Sequence, residues 1–182
     1  MNPISTLFSR SKDPFEALLS PHIDHIYRLS YRFTGNREGA EDLTQELLTK
    51  LYNRRDELTK IEPLRPWISR VLYNLFIDST RSAGRQPTHN PADYDMTQLE
   101  AANSPEQEVA STQIHSQVLA SLKKLNPDQR ALVTMHDMEG FTLPELVELL
   151  DTPIGTLKSR LHRARAKIRK ELQSESMEPF AP

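Results

Sequence analysis

The 182-residue sequence has no cysteine, no long apolar run and a net charge of only −2. Without cysteine it has neither a disulfide framework nor a thiolate metal site. The six histidines form no pair at a metal-binding spacing, so we expect no metal and no cofactor. The apolar runs are far shorter than a membrane span, and residues 1–14 lack the apolar core of a signal peptide. These absences predict a soluble, cytoplasmic protein without membrane insertion.

The small net charge hides an uneven distribution of charged residues. Residues 84–117 contain five acidic residues and one arginine, whereas residues 155–170 contain seven lysines or arginines and no acid. Nucleic-acid binding depends on a local basic patch and not on the average charge of the chain. The unopposed basic run therefore favours an anionic partner.

Cap and turn signals divide the first 83 residues into helices. Asp13, followed by Pro14 and Glu16, fits a helix start, and Pro21 indicates a fresh helix capped by Ser20. Gly35 is typical of a left-handed helix end. Apolar residues at intervals of three or four predict two further helices, over 38–52 and 67–82.

The helix over 38–52 carries a compact polar face formed by Glu41, Asp42, Gln45 and Glu46. A solvated helix face often has this composition. Asp42 and Glu46 lie one turn apart, but no nucleophile or orienting group accompanies them, so an acid–base pair is not favoured. The residues alone leave open whether this face is solvated or binds a partner.

The helix over 67–82 combines basic residues with an aromatic residue and an amide, namely Arg65, Arg70, Tyr73, Asn74, Arg81 and Arg85 on and around it. This combination suits single-stranded nucleic acid, which needs phosphate neutralisation, a stacking surface and a partner for base edges. Alternatively, Tyr73 packs in the core and Arg81 pairs with Asp78. Both interpretations remain open on composition.

Two helix starts lie ten residues apart near the end of the chain. Thr142 with Glu145 forms a capping box for a helix that ends near Asp151, and Thr152 with Pro153 starts a second helix. The second helix has one apolar stripe (Ile154, Leu157, Leu161, Ala164, Ile168 and Leu172) and an opposite basic side (Arg160, Arg163, Lys167 and Lys170). This pattern predicts a helix-turn-helix. A solvated basic helix, or a membrane-surface or calmodulin-type helix, is the alternative.

Three stretches resemble bacterial sigma factors of the extracytoplasmic-function (ECF) group in the sigma-70 family. They are DLTQELLTKLY at 42–52, WISRVLYNLFIDSTR at 67–81, and the stretch from LNPDQR to IRKEL at 125–172. The resemblance implies an all-α fold of two small helical domains joined by a flexible acidic linker. Its boundaries would be an N-terminal tail (1–14), region 2 (15–83), the linker (84–108), region 4 with the helix-turn-helix (109–173) and a C-terminal tail (174–182).

The resemblance also implies partners and residue roles. The chain would bind the RNA polymerase core, through the largest-subunit clamp helices and, for region 4, the flap; it would bind promoter DNA and an anti-sigma factor, and would have no enzymatic activity. The residues implied for core binding are Asp42, Gln45 and Glu46. Those implied for the minus-10 element are Arg65, Arg70, Asn74 and Arg81. Those implied for the minus-35 element are Thr152, Thr156, Lys158, Ser159, Arg160 and Arg163.

Some residues depart from the family pattern. Asp151 stands where the family commonly has a turn glycine, so either the turn is reshaped or Asp151 adopts the left-handed conformation. Val147 replaces a small alanine, and Ser82 to Gly84 replace residues that are usually more basic. Two other functions remain open at this point: a helix-turn-helix regulator that acts without core polymerase, and a protein that sequesters a partner.

Overall fold

A computed structural model describes residues 13–83 and 117–175 of the chain. These residues belong to two compact units, one within 1–93 and the other within 94–182. The regular secondary structure of the described residues is helical, with no strand among them, which confirms the all-α prediction. The predicted linker, most of the predicted N-terminal tail, residues 109–116 and the last seven residues lie outside the described ranges.

Residues 13–83, the described part of the first unit, contain five α-helices. They are α1 (Pro14–Leu19), α2 (Ile23–Thr34), α3 (Arg37–Tyr52), α4 (Arg55–Leu58) and α5 (Leu64–Ala83). The predicted caps hold at two ends: Asp13 accepts from the Phe15 N–H at 2.9 Å, and Gly35 ends α2 at φ 78°. The predicted Ser20 cap is wrong. Ser20 instead begins a 3₁₀ turn (Ser20–His22), which follows α1 directly and leads into α2.

The core of the first unit is formed where α2 packs against α3 and α5. Phe33 of α2 stacks on Phe76 of α5 with ring centroids 5.1 Å apart. Two buried polar contacts also cross between helices: His25 Nε2 lies 3.0 Å from Ser69 Oγ, and Thr44 Oγ1 donates to Ser30 Oγ at 3.1 Å. Because buried polar groups need specific partners, these pairs fix which faces of the three helices meet.

The second unit begins with α6 (residues 117–123 in the described part), followed by α7 (Pro127–Val133), α8 (Leu143–Leu150) and α9 (Ile154–Glu175). Asn126 caps α7 by accepting from the Gln129 N–H at 2.8 Å. The Arg130 guanidinium joins α7 to α6 by donating to three carbonyl oxygens at the α6 C-terminus, those of Leu122, Lys123 and Leu125. Burial lowers the pKa of Arg130, because the charged guanidinium loses contacts with water. The three carbonyl oxygens replace those contacts.

Between α7 and α8 the chain forms a π-helical turn, Thr134–Met138. Within this turn Met135 is buried and His136 is half-buried. The turn ends with Glu139 N–H donating to Thr134 O at 3.0 Å and Phe141 N–H to Met135 O at 3.0 Å. His136 Nδ1 lies 2.6 Å from Phe141 O, so the ring donates to that carbonyl. The π turn leads the chain into the start of α8.

Candidate nucleic-acid interface

The turn between α8 and α9 is built by local hydrogen bonds. Thr142 and Glu145 form the predicted capping box: the Thr142 N–H donates to Glu145 Oε2 at 2.7 Å, and the Glu145 N–H donates to Thr142 Oγ1 at 3.4 Å. At the other end of α8, Asp151 has φ 48° and ψ 47°, and its N–H donates to Val147 O. Asp151 therefore adopts the left-handed conformation and ends α8 as a glycine would.

The start of α9 lies one residue later than predicted. Thr152 does not cap α9, because its hydroxyl donates to Leu150 O at 3.0 Å and so completes the end of α8. The carbonyl of Pro153 accepts from the N–H groups of Thr156 and Leu157 at 2.9 and 3.1 Å. Pro153 is thus the residue before the helix, and α9 begins at Ile154.

One side of α9 packs into the second unit. Leu157, Leu161 and Ala164 are buried there, and Ile168 and Leu172 are half-buried. Since the unit's own core covers this stripe, a free amphipathic helix for a membrane surface or for calmodulin is disfavoured. The predicted stripe is wrong at its first residue, because the Ile154 side chain is 44% exposed.

Apart from Thr152, the residues predicted to contact the minus-35 element lie in the first half of α9. Lys158, Ser159 and Arg163 are exposed, whereas Thr156 and Arg160 are half-buried. Ser159 Oγ donates to Thr156 O at 2.9 Å, and Arg163 Nε donates to Ser159 O at 3.3 Å. Among the described residues, the three cations Lys158, Arg160 and Arg163 make no ion pair. The charges of the exposed Lys158 and Arg163 therefore face outward from the helix-turn-helix.

Two of the seven basic residues of α9 are bound inside the unit. Arg165 holds Asp137 of the π turn with two hydrogen bonds, at 3.0 and 2.5 Å, and Asp137 raises the pKa of Arg165. Lys167 Nζ donates to the Lys124 carbonyl at the end of α6. Lys124 in turn pairs with Glu171 at 2.6 Å, and that hydrogen bond lowers the pKa of Glu171. The predicted unopposed basic run is therefore wrong at Arg165 and Lys167, which hold α9 against the preceding elements.

Sequence reasoning missed one exposed side chain of α9, His162. It lies one helical turn after Lys158, on the same outward face, and next to Arg163. The spacing of four residues was the available signal. Its imidazole adds a hydrogen-bonding group to a face that otherwise carries cations and hydroxyls.

Helix α5 brings together three of the four predicted minus-10 residues. At 100° per residue, Arg70, Asn74 and Arg81 fall within an arc of about 40°, and all three are exposed. Arg65 is exposed too, but it lies about 140° from Arg70 around the helix. Arg65 is near His22, whose pKa is lowered first by burial and then by the charges of His25 and Arg65. Arg65 therefore does not belong to the same stripe.

The structure shows part of the alternative interpretation of α5, in which Arg81 pairs with Asp78 and Tyr73 packs in the core. Arg81 Nη1 lies 3.9 Å from Asp78 Oδ1, with both side chains more than 70% exposed. A pair this long and this solvated contributes little stability. Tyr73 is half-buried. The guanidinium of Arg81 thus remains available to an anionic partner.

Helix α3 presents the predicted polar face outward. Asp42, Gln45 and Glu46 are exposed, while Leu43, Thr44 and Leu47 on the other side are buried. Sequence reasoning missed Tyr52, which is 48% exposed at the end of the same face. Its ring meets Phe15 edge-on at 5.3 Å, and the Arg55 guanidinium lies 4.8 Å above it. Tyr52 lies seven residues after Gln45, which is about two helical turns. This spacing could have indicated that Tyr52 belongs to the same face.

The second unit has an open apolar groove of about 790 Å³. It lies between α6, the π turn and the C-terminal half of α9, with Val118, Leu122, Val133, Met138, Ile168 and Leu172 along it and Arg169 at its rim. Within residues 13–83 and 117–175, no group of three or more acidic or histidine side chains is placed to hold a metal ion. In the same ranges, no helix combines the length and apolar character needed to cross a membrane.

In the comparison with known proteins, each of the two units matches a family model of its own. Residues 18–86 match the model of sigma-70 region 2, and residues 115–168 match that of sigma-70 region 4. The chain is 35% identical over 167 residues to the ECF RNA polymerase sigma factor SigE of Mycolicibacterium smegmatis, covering 90% of this chain and 63% of that protein. It is 30% identical over 149 residues to the ECF RNA polymerase sigma factor EcfG of Rhodopseudomonas palustris, covering 82% of this chain and 80% of that one.

A solved structure has the same fold. The sigma factor RpoE of Bartonella quintana, solved in complex with the anti-sigma factor NepR, aligns with a TM-score of 0.69 at 22% identity, over 87% of this chain and 96% of that one. The matches to regions 2 and 4, in this order, agree with the residues that carried the resemblance. The chain therefore belongs to the ECF group of the sigma-70 family of RNA polymerase sigma factors.

Proposed function

We propose that this chain binds core RNA polymerase and directs it to promoters, with the first unit at the minus-10 element and the second at the minus-35 element. One observation carries the proposal: an outward polar helix face in one unit is joined, in one chain, to a helix-turn-helix with unpaired outward cations in the other. The polymerase supplies the chemistry of RNA synthesis, so the chain needs no catalytic residue, metal or cofactor of its own.

Asp42, Gln45 and Glu46 form the core-binding face in this proposal. They project from a helix whose other side is packed into the core, so their backbone positions are fixed before a partner binds and little backbone freedom is lost on binding. Two carboxylates and an amide suit a basic or hydrogen-bonding surface such as that expected of the clamp helices of the largest subunit. The apolar groove of the second unit is suited to a contact with the polymerase flap.

The stripe of Arg70, Asn74 and Arg81 is proposed to hold the opened strand of the minus-10 element. Its two cations can neutralise phosphates, and its amide can pair with a base edge. Arg65 lies on another side of α5, so we assign it a separate phosphate contact outside this stripe. The first unit would thereby favour the melted strand over the duplex.

The minus-35 reader is proposed to consist of Thr152, Thr156, Lys158, Ser159, Arg160 and Arg163. The residues at the start of a recognition helix reach base edges, and the cations further along meet phosphates. The structure supports different roles within this set. Thr152 acts through the turn by its bond to Leu150 O, whereas Lys158 and Arg163 are free to touch DNA.

The same proposal includes domain limits and a setting. Residues 1–14 and 174–182 are tails, 15–83 form region 2, 84–108 the linker, and 109–173 region 4. The protein acts in the cytoplasm, where its polymerase and template are. Because the Bartonella relative was solved in complex with an anti-sigma factor, we also propose that such a partner controls this chain.

Mixing the purified chain with core polymerase tests the core of the proposal. We expect co-elution and transcripts that depend on particular promoters. Asp42→Ala and Gln45→Ala should weaken co-elution, whereas Asp24→Ala, an exposed acid on α2, should not. Normal core affinity in both α3 variants would contradict the docking role.

DNA binding of the holoenzyme tests the second unit. Lys158→Ala or Arg160→Ala should weaken promoter binding by about 1–3 kcal/mol if a base contact is lost. An equal loss on every sequence, with a shallower salt dependence, would indicate a phosphate contact instead. Specific binding by a dimer without polymerase would favour a conventional regulator, and absence of DNA affinity at low salt would favour a sequestering protein.

A further inference from the structure

Ile154 is one of two large apolar side chains that the described residues leave exposed, and the other is Tyr52. It is the first residue of α9, and 44% of it is accessible, whereas Leu157 and Leu161 of the same stripe are buried. An exposed β-branched residue is a poor choice for a helix, because its restricted rotamers lower helix propensity. Neither the core nor helix formation explains an isoleucine there.

The surface around the first turn of α9 is open. Next to Ile154, a Cβ added to Gly155 would meet no atom of the unit within 4 Å, and Gly155 does not have a positive φ. A glycine in a helix costs about 0.5–1 kcal/mol relative to alanine, and here neither backbone conformation nor packing within the described unit requires it. The chain thus keeps this turn small on the side where Ile154 is exposed, which leaves room for another molecule.

The neighbours of Ile154 identify the kind of molecule. Lys158 lies one turn further along the helix and is exposed, and it makes no ion pair among the described residues. An apolar side chain next to a cation suits a surface that is anionic but carries apolar groups. In the major groove of DNA the apolar group is the C5-methyl of thymine, and side chains at the start of a recognition helix are the ones that reach base edges.

We propose that Ile154 packs against the methyl group of a thymine in the upstream promoter element and makes that base pair a specificity determinant. The inference rests on the proposed function, and it adds an apolar contact to a reader otherwise assigned to cations and hydroxyls. Because uracil lacks the C5-methyl but keeps every hydrogen-bonding group of thymine, the contact can be removed from the DNA alone. Burial of one methyl group corresponds to about a fourfold change in affinity.

The experiment uses holoenzyme reconstituted from core polymerase and the full chain, with a promoter fragment recovered by mapping its transcripts. Each thymine of the upstream element is replaced by uracil in turn, and binding is measured by competition. For the wild-type chain we expect one position at which uracil weakens binding about fourfold. Ile154→Ala should bind the thymine promoter at least as weakly as the wild type binds the uracil promoter. It should also no longer distinguish thymine from uracil at that position.

Two controls sharpen the test. Ile154→Leu should keep the preference for thymine, since it keeps an apolar side chain. Ile61→Ala makes the same chemical change at a half-buried position of the first unit and should keep the full uracil effect. Thermal unfolding of each variant reports whether the fold is retained.

Either of two results overturns the inference while the proposed function stands: no uracil effect at any upstream position of a promoter that the wild type transcribes, or the same uracil effect in wild type and Ile154→Ala. If the wild-type holoenzyme makes no promoter-dependent transcript, both the proposed function and this inference fail.

Discussion

Replacing Asp151 is expected to stabilise the second unit, although Asp151 lies in the turn that sets the direction of α9. Its left-handed backbone, at φ 48° and ψ 47°, is one that side chains other than glycine adopt at a cost. That cost reaches about 1–2 kcal/mol for ordinary L-residues and is smaller for aspartate. Its carboxylate also lies at the C-terminal end of α8, where the helix dipole is negative, which costs about 0.3–1 kcal/mol at low ionic strength.

Two variants separate these contributions. Asp151→Asn removes the charge and keeps a residue that tolerates the left-handed region, so we expect a gain in the free energy of unfolding of about 0.3–1 kcal/mol. Asp151→Gly also removes the backbone cost, but glycine increases the entropy of the unfolded chain by about 0.4–1 kcal/mol. The net gain for Asp151→Gly should be about 1 kcal/mol, composed of backbone relief plus charge removal minus this entropy.

Urea unfolding of the full-length variants, followed by a probe in α9, measures the difference. The matched control is Glu148→Gln, which removes an exposed acid from the last turn of α8 at a residue that is not left-handed, and so reports the charge contribution alone. Added salt should reduce the gain of Asp151→Asn and leave the backbone part of the Asp151→Gly gain unchanged. If Asp151→Gly is less stable than wild type, the left-handed backbone is not the cost we assign, and the carboxylate must stabilise the turn.

Three further predictions follow from the contacts of the second unit. Thr142→Ala should cost about 1 kcal/mol. The capping hydrogen bonds from Thr142 lower the pKa of Glu145 below its ordinary value of 4.5. The stability that these bonds contribute should therefore be present above pH 4.5 and be lost as the pH falls through the pKa of Glu145 in the folded state. Thr142→Ala should lose less stability over that pH range. A double-mutant cycle of Asp137→Asn with Arg165→Ala should give a coupling of about 0.5–1 kcal/mol, and additive effects would contradict a stabilising pair. In holoenzyme binding to promoter DNA, Arg163→Gln should reduce the salt slope by about 0.9 if Arg163 contacts a phosphate, whereas Arg165→Gln should leave it unchanged.

Sequence reasoning succeeded where the chemistry is local. The capping box of Thr142 and the helix end at Gly35 need only residues within a few positions, and both are observed. The outward polar face of α3 also follows from helical spacing. Asp151 was left with two outcomes, since a sequence does not show whether a turn is reshaped or a residue takes the left-handed conformation.

The differences arise where distant residues decide. The π turn at Thr134–Met138 lies where the chain must lead from α7 into α8, and Asp137 within it bonds to Arg165, 28 residues away. One difference is local: the start of α9 shifted because the Thr152 hydroxyl donates to Leu150 O, two residues earlier, and the residue type alone does not decide between this bond and a cap of α9. Ile154 fits the apolar period but lies beyond the edge of the core, which only the packed unit defines.

The basic residues of α9 show most clearly what composition leaves undecided. Seven cations in sixteen residues predict a strongly anionic partner, yet Arg165 and Lys167 are bound within the unit. The cations of the first half, by contrast, have no ion pair among the described residues. Internal contacts therefore hold the C-terminal half of the helix in place, and the cations of the N-terminal half remain available to an anionic partner. A chain with a net charge of −2 can thus present a local positive surface, because the charges are unevenly placed.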